Sequence, residues 1–489
     1  MKLSYSICLA LALFILLSPS LLANDGFTGR DKRQLKRILA TFSPHSTVAL
    51  VIQPLLSKTP LFAHQGQKTI VPASTMKVVT ALTALDGLGR HKRFLTQLVA
   101  AGPIVGGQLK GSLIIVGGGD PSLGMAKVEG GASSKEVITR WVNILKKRGI
   151  REVTGDIVGE ATLFIDQPIS RYAIWEDIGN YYGGVTSPLS WNGNRYLLYL
   201  SSQKKPGSVV RVLGTDPVHT AISTFDNRLR AGQVGSGDNA YIFGSPMSAV
   251  RYLTGTIPPG RKSFTIKGSL PNPAFTCAAT LYHALKKEGI TIRGRPCSTN
   301  RIKRRKGNHI LDTYASPTLT LLVRHMNKTS DNVFAEQLLK LLALKFKSQG
   351  SRTSGLLALK ERLEGLEIPL TGTHFKDGSG LSRYNGLTAN FLTQCLCAAA
   401  KKPYYKALMS SMPISGVDGS LKRRYGDPKL KGRIIAKTGY MERVFALTGF
   451  VKKGQKRKTY AFTFVVNDET APFSVIQQRF QQIAHILVK

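Results

Sequence analysis

Near its end this chain places Phe473, Ile476, Phe480, Ile483 and Leu487 three and four positions apart. That spacing puts them on one side of a helix beginning after Pro472. The helix is expected to pack on a neighbouring sheet rather than lie on a membrane. The same period predicts helices over 31–41, 72–86, 134–147, 274–287, 318–326, 330–345, 355–363 and 388–400. Strands are predicted at 47–53 and 60–63, and again at 433–437, 445–451 and 460–466. Between about 91 and 269 the texture differs. Short β-like runs at 94–101, 112–116, 152–158, 196–201, 209–213 and 263–266 are punctuated by Gly and Pro. The simplest organisation is one α/β (α+β) domain built from 24–90 plus 270–489, interrupted by a β-rich insertion over 91–269.

Length and composition fit this picture. The 489 residues leave room for a large core, and the apolar share of 42% is that of a globular protein. The start reads differently. Lys2 precedes an eleven-residue apolar run over 7–17, followed by small residues up to Ala23. This is the layout of a secretory signal peptide, 1–23, cleaved after Ala23 or Ser20, and it directs the chain to the periplasm. The alternative is an uncleaved N-terminal anchor. Of the five cysteines, Cys8 lies in the apolar run. Cys277 and Cys297 flank a helix and turn; they either pair in an oxidising compartment or remain buried thiols. Cys395 and Cys397 read as core residues.

The charge changes the picture further. There are 68 basic and 28 acidic residues, a net +40. In a cytosolic protein this would suggest nucleic acid. Export argues against that partner, and no nucleic-acid-binding signature is present. An exported basic protein meets anionic membrane surface or wall polymer instead. Basic runs stand at 301–306, 422–424 and 452–458. The nine histidines show no H-x-x-x-H spacing, and there is no G-x-S-x-G elbow, so no metal, no cofactor and no His-based triad is expected.

Three short motifs carry the chemistry. Ser74-Thr75-Met76-Lys77 reads S-x-x-K, Ser330-Asp331-Asn332 reads S-D-N, and Lys437-Thr438-Gly439 reads K-T-G. Each alone is weak; the ordered set is specific. Ser74 and Lys77 share a helix face, with Ser74 at the helix start, where free N–H groups favour negative charge. A serine needs a base, and Lys77 serves only if neutral. Lowering a lysine from ~10.4 to ~7 takes about 4–5 kcal/mol, from burial and a second cation such as Lys437. Ser330 is placed to relay a proton to a leaving amine. Asn332 is placed to bond Lys77 and a substrate amide. Lys437 and Thr438 would hold a substrate carboxylate, and Gly439 would allow close approach. The N–H groups of Ser74 and Tyr440 would form an oxyanion hole.

The chain resembles the low-molecular-mass class C penicillin-binding proteins, the D-alanyl-D-alanine carboxypeptidase/endopeptidase family. The resemblance extends to Gly117-Gly118-Gly119-Asp120-Pro121, to Gly179-Asn180-Tyr181-Tyr182-Gly183, to the loop Asp377 to Arg383, and to the segment Gly416 to Leu421. It implies a penicillin-binding/β-lactamase-like transpeptidase domain with an insertion. It also implies cleavage of D-alanyl bonds in peptidoglycan muropeptides through an acyl-enzyme on Ser74, and covalent inhibition by β-lactams. Arg383 would face the substrate's peptide side chain, while the GGGDP glycines read as structural turns. Two positions depart from the pattern. Tyr440 stands where the family has Ser or Thr, and Arg443 where Gly is common; Arg443 is a candidate to replace the lost carboxylate contact. The competing readings are a catalytically silent wall-binding or assembly protein and a β-lactamase or esterase on the same fold.

Overall fold

The computed structural model describes residues 27–300, 308–454 and 458–489. The expected leader, Cys8, the basic run 301–306 and part of the run 452–458 lie outside the described residues.

A five-stranded antiparallel sheet joins the two ends of the chain. Its order is Phe62–His64, Thr47–Pro54, Lys458–Asn467, Val444–Lys453, Ile434–Met441. Alternation decides which side chains face which layer. Val48, Leu50 and Ile52 point to one face with Phe462, Phe464 and Val466. On that face lie helix Gly29–Leu39, through Leu35 and Leu39, and the terminal helix Phe473–Val488, through Phe480 and Ile483. Phe480 sits 5.2 Å from the Phe464 ring. The terminal helix therefore packs on the sheet, as its period predicts. Ala49 and Val51 face the other way, against Ala389 of helix Ala389–Ala400.

Beyond that second face stands a helical half. Helix Met76–Leu88 runs through it and is buried on every side except at Asp86 and Leu88. A helix apolar all round belongs in a core. Around it pack Leu319–Thr329, Asn332–Lys347 and Arg352–Glu364. Asp331 caps Asn332–Lys347, its Oδ1 accepting the N–H of Val333 at 3.0 Å.

The insertion has two lobes. The first is a sheet ordered Pro296–Thr299, Ile157–Glu160, Ser112–Val116, Leu95–Ala101, Asn308–Ala315. Helices Ser134–Lys147 and Pro273–Lys287 cover it, and Trp141 stacks on Trp191 at 6.5 Å in its core. The second lobe is built on strands between Arg195 and Ser269, with Tyr196, Leu198, Leu253 and Ile266 inside. Two expectations change. The boundary at 269 falls inside the first lobe, because Cys277, Leu281 and Leu285 bury in the inserted core and Asn308–Ala315 pairs back onto Leu95–Ala101. The run 152–158 divides into Glu152–Val153 and Ile157–Glu160, in different sheets. Cys277 and Cys297 are free thiols, so the possible disulfide is not formed; Cys395 and Cys397 are buried, as expected.

The GGGDP turn ties the inserted sheet to helix Asn332–Lys347, Gly119 O accepting from Gln337 Nε2 at 3.0 Å. A Cβ on Gly118 would stand 1.8 Å from the carbonyl oxygen of Leu95. Gly118→Ala should therefore cost about 1–3 kcal/mol or more through overpacking. Gly365, at φ −64, where a Cβ would meet nothing nearer than Glu361 O at 3.4 Å, is the control. Gly365→Ala should leave stability unchanged or raise it by up to about 1 kcal/mol. Urea unfolding midpoints of the two variants test the contrast.

Candidate active site

Ser74 sits in a single 3-10 turn, Ala73–Thr75, that feeds helix Met76–Leu88. The turn is tight: Thr75 Oγ1 donates to Pro72 O at 2.6 Å. Ala73 lies at φ 45, a left-handed conformation that costs a non-glycine residue about 1–2 kcal/mol. Two glycines make room for it. A Cβ on Gly380 would stand 1.9 Å from Ala73 O, and one on Gly439 would stand 2.9 Å from Pro72 O. The nucleophile turn is thus clamped between the Asp377–Arg383 loop and the K-T-G strand.

Lys77, one turn on, is fully buried. Its Nζ stands 2.9 Å from Ser74 Oγ, 2.5 Å from Asn332 Oδ1 and 2.7 Å from Ser379 O. The last two atoms can only accept. Once the amine is neutral, they take both of its N–H bonds and leave its lone pair for the serine hydroxyl. Burial lowers this amine from 10.5 to about 8, against the opposing pull of Asp377, Asp331 and Glu336.

Ser330 closes helix Leu319–Thr329 in a left-handed conformation at φ 60, and Asn332 opens the next helix. The sharp corner brings both side chains to the site. Asn332 Nδ2 donates to Tyr182 O at 2.7 Å, which fixes the amide with its oxygen toward Lys77. Asp331 is buried, and burial alone would raise its pKa. Arg195 and His325 overcome this and hold the carboxyl well below its usual range.

Lys437 is also fully buried. Its Nζ lies 2.9 Å from Ser330 Oγ and 2.5 Å from Thr438 O. Burial, then repulsion from Lys77, lowers it well below the lysine range. Thr438 Oγ1 is paired with Ser420 Oγ at 2.7 Å. The Tyr440 side chain is 64% exposed and packs edge-on against Phe473 at 4.9 Å. Arg383 stands at the rim, its Nη2 3.7 Å from Glu442 Oε2. Arg443 sits in the hairpin turn, 3.5 Å from Asp468, so it is engaged there rather than in the cleft.

Ser74, Ser330, Asn332, Arg383 and Tyr440 line one open cleft of about 1040 Å³, with Lys77 and Lys437 beneath it. All three motifs therefore converge. Four partners were not singled out individually from sequence: the carbonyls of Tyr182 and Ser379, the Ser420 hydroxyl and Glu336. The first three fall in the glycine-rich segments noted above, whose composition shows a turn but not its contacts. Glu336 carries one signal, its place one helical turn after Asn332.

Comparison with known proteins shows the family. The D-Ala-D-Ala carboxypeptidase 3 (S13) family matches residues 32–487. The D-alanyl-D-alanine carboxypeptidase DacB of Haemophilus influenzae is 27% identical over 429 residues, 86% of this chain and 85% of that protein. The D-alanyl-D-alanine carboxypeptidase of Actinomadura sp. (strain R39) is 28% identical over 425 residues, covering 84% and 76%. The crystal structure of penicillin binding protein 4 (dacB) from Haemophilus influenzae superposes with a TM-score of 0.77 at 25% identity, covering 92% of this chain and 97% of that one. With three motifs meeting in one cleft and a family match along almost its whole length, the chain belongs to the D-Ala-D-Ala carboxypeptidase 3 (S13) family.

Proposed function

We propose that this protein is an exported, periplasmic serine D-alanyl-D-alanine carboxypeptidase and endopeptidase of peptidoglycan, with Ser74 as nucleophile and Lys77 as its base. The observation that carries the reading is the 2.9 Å separation of Lys77 Nζ from Ser74 Oγ, with the other two partners of Nζ being pure acceptors.

Ser74 Oγ attacks the carbonyl carbon of the scissile D-alanyl bond while its proton passes to Lys77 Nζ. The oxyanion is received by the N–H groups of Ser74 and Tyr440, each donor typically worth ~3 kcal/mol. The proton then passes to the leaving amine by way of Ser330. Collapse breaks the C–N bond and leaves an ester on Ser74, which water hydrolyses with Lys77 again as base. Thr438, with Ser420, and the ammonium of Lys437 receive the terminal carboxylate. That carboxylate supplies the countercharge Lys437 lacks in the free site, and a protonated Lys437 in turn favours a neutral Lys77. A β-lactam follows the first half of this course, and its ring nitrogen stays tethered. Arg383 reaches the peptide side chain from the rim. Residues 27–90 and the chain from Ser316 form the catalytic unit, and the insertion walls the cleft through Met125 and Lys127 on the side of the first lobe and Tyr241 and Lys267 of the second.

The basic surface supplies a second contact. Helix Gly29–Leu39 exposes Arg30, Lys32, Arg33, Lys36 and Arg37, none ion-paired among the described residues, while Leu35 and Leu39 bury against the sheet. This face meets an anionic membrane surface, at ~1 kcal/mol per cation near the lipid.

Fluorescent penicillin should label the mature protein covalently and leave Ser74→Ala unlabelled at equal folding. D-Alanine release from a muropeptide pentapeptide should vanish with it. A labelled Ser74→Ala, or an unlabelled folded wild type, contradicts the assignment. Replacing Lys32, Arg33, Lys36 and Arg37 together by Gln should abolish sedimentation with phosphatidylglycerol vesicles in low salt. Equal sedimentation of the variant and wild type would remove this helix from membrane contact.

A further inference from the structure

Glu336 is buried beneath the site, one turn beyond Asn332 on helix Asn332–Lys347. Its Oε1 accepts the N–H groups of both Gly378 and Ser379 at 2.9 Å. Its Oε2 accepts Arg352 Nε at 3.0 Å, and Arg352 is held in turn by Ile169 O at 3.2 Å. The residue whose N–H is gripped, Ser379, is the one whose carbonyl meets Lys77 Nζ at 2.7 Å. One helix therefore presents both of the lysine's acceptors, Asn332 directly and Ser379 through Glu336.

We propose that Glu336 is a positioning residue for acylation: by holding the Gly378 and Ser379 N–H groups it fixes the Ser379 carbonyl against Lys77, so that the amine's free lone pair is aimed at Ser74. This rests on the assignment of Lys77 as base. Two neutral N–H donors do not by themselves require a carboxylate. A glutamine oxygen would accept them equally well. The charge meets Arg352 directly, whose Nε lies 3.0 Å from Oε2, and it also acts on Lys340 and on Lys77. Lys77 is faced by Asp331 and Glu336 from this helix, by Asp377 from the loop, and by Lys437 from the K-T-G strand. Asp377 already serves the rest of the loop, accepting from Gly380, Ser382 and Asn385. Glu336 thus has two separable effects, one through geometry and one through charge.

Two variants separate them. Glu336→Gln keeps the shape and the oxygen that faces the two N–H groups, but it removes the charge and turns an NH2 toward Arg352. Glu336→Asp keeps the charge but is one methylene too short to reach both N–H groups. The readout is the stopped-flow rate of acylation by a chromogenic cephalosporin from pH 6 to 10, on full-length mature protein whose folded fraction is measured by circular dichroism. Glu336→Gln should shift the acid limb to lower pH, the direction in which loss of an opposite charge moves a lysine. Glu336→Asp should keep the limb near its wild-type position and lose roughly tenfold or more of the plateau rate, the usual scale for a misplaced reacting group. A purely structural role gives two profiles of unchanged shape, each scaled only by the folded fraction, and overturns the proposal. If Glu336→Gln does not fold, a Glu336→Asp variant with the full wild-type plateau overturns it alone. A folded wild type that is not acylated at Ser74 removes the base assignment itself, a result distinct from unaffected variants in an acylating wild type.

Discussion

The three-point hold on Lys77 Nζ is the constraint around which the molecule is arranged. Ser74 comes from the same helix, Asn332 from the corner between two other helices, and Ser379 from a loop across the cleft. Burying this amine is costly. Its pKa falls from 10.5 to about 8, so below pH 8 the folded state carries a cost on the order of 3 kcal/mol. Between pH 8 and 10.5 the unfolded chain binds more protons than the folded one, and stability rises with pH through that window. On the proposed mechanism, stability is given up to hold a base with a pKa of about 8.

That cost is borne by packing. Helix Met76–Leu88 is enclosed by apolar neighbours, which removes water from Lys77 and sets its pKa at the same time. The strained Ala73, the glycines at 380 and 439, and the Thr75 bond to Pro72 hold Ser74 where that lysine can use it. The insertion takes part as well. Its Tyr182 carbonyl turns the Asn332 amide, so a segment some 150 residues away in sequence completes the arrangement. The fold is thus less a catalytic domain with an appendage than a site closed from two sides.

What was legible in the sequence follows from the range of each signal. The terminal helix, helix Ser134–Lys147 and the strands of the central sheet follow local periodicity, and the structure places them within a few residues. The three motifs were legible because few residue types can perform that chemistry, and their spacing is local. The extent of the inserted core was not. Asn308–Ala315 pairs with Leu95–Ala101 across some 200 residues, and nothing in either strand names its partner. Strands such as Thr224–Asn227 alternate between exposed and half-buried positions, so they carry little apolar pattern to detect. The direction of the Lys437 amino group, toward Ser330 and its own strand, depends on backbone geometry that the K-T-G motif leaves open. Arg443 shows the same limit. Its position in the chain suggested a carboxylate contact, while the hairpin turn carries it to Asp468.

The central claim is that Lys77 is a neutral amine whose lone pair receives the Ser74 proton. Neutron diffraction from deuterated crystals of the free protein held at pH 9 reads this directly. The account predicts two deuterons on Lys77 Nζ, one toward Asn332 Oδ1 and one toward Ser379 O, with the Ser74 hydroxyl deuteron pointing at Nζ. Three deuterons on Nζ, one of them donated to Ser74 Oγ, would contradict it and leave the serine without a base.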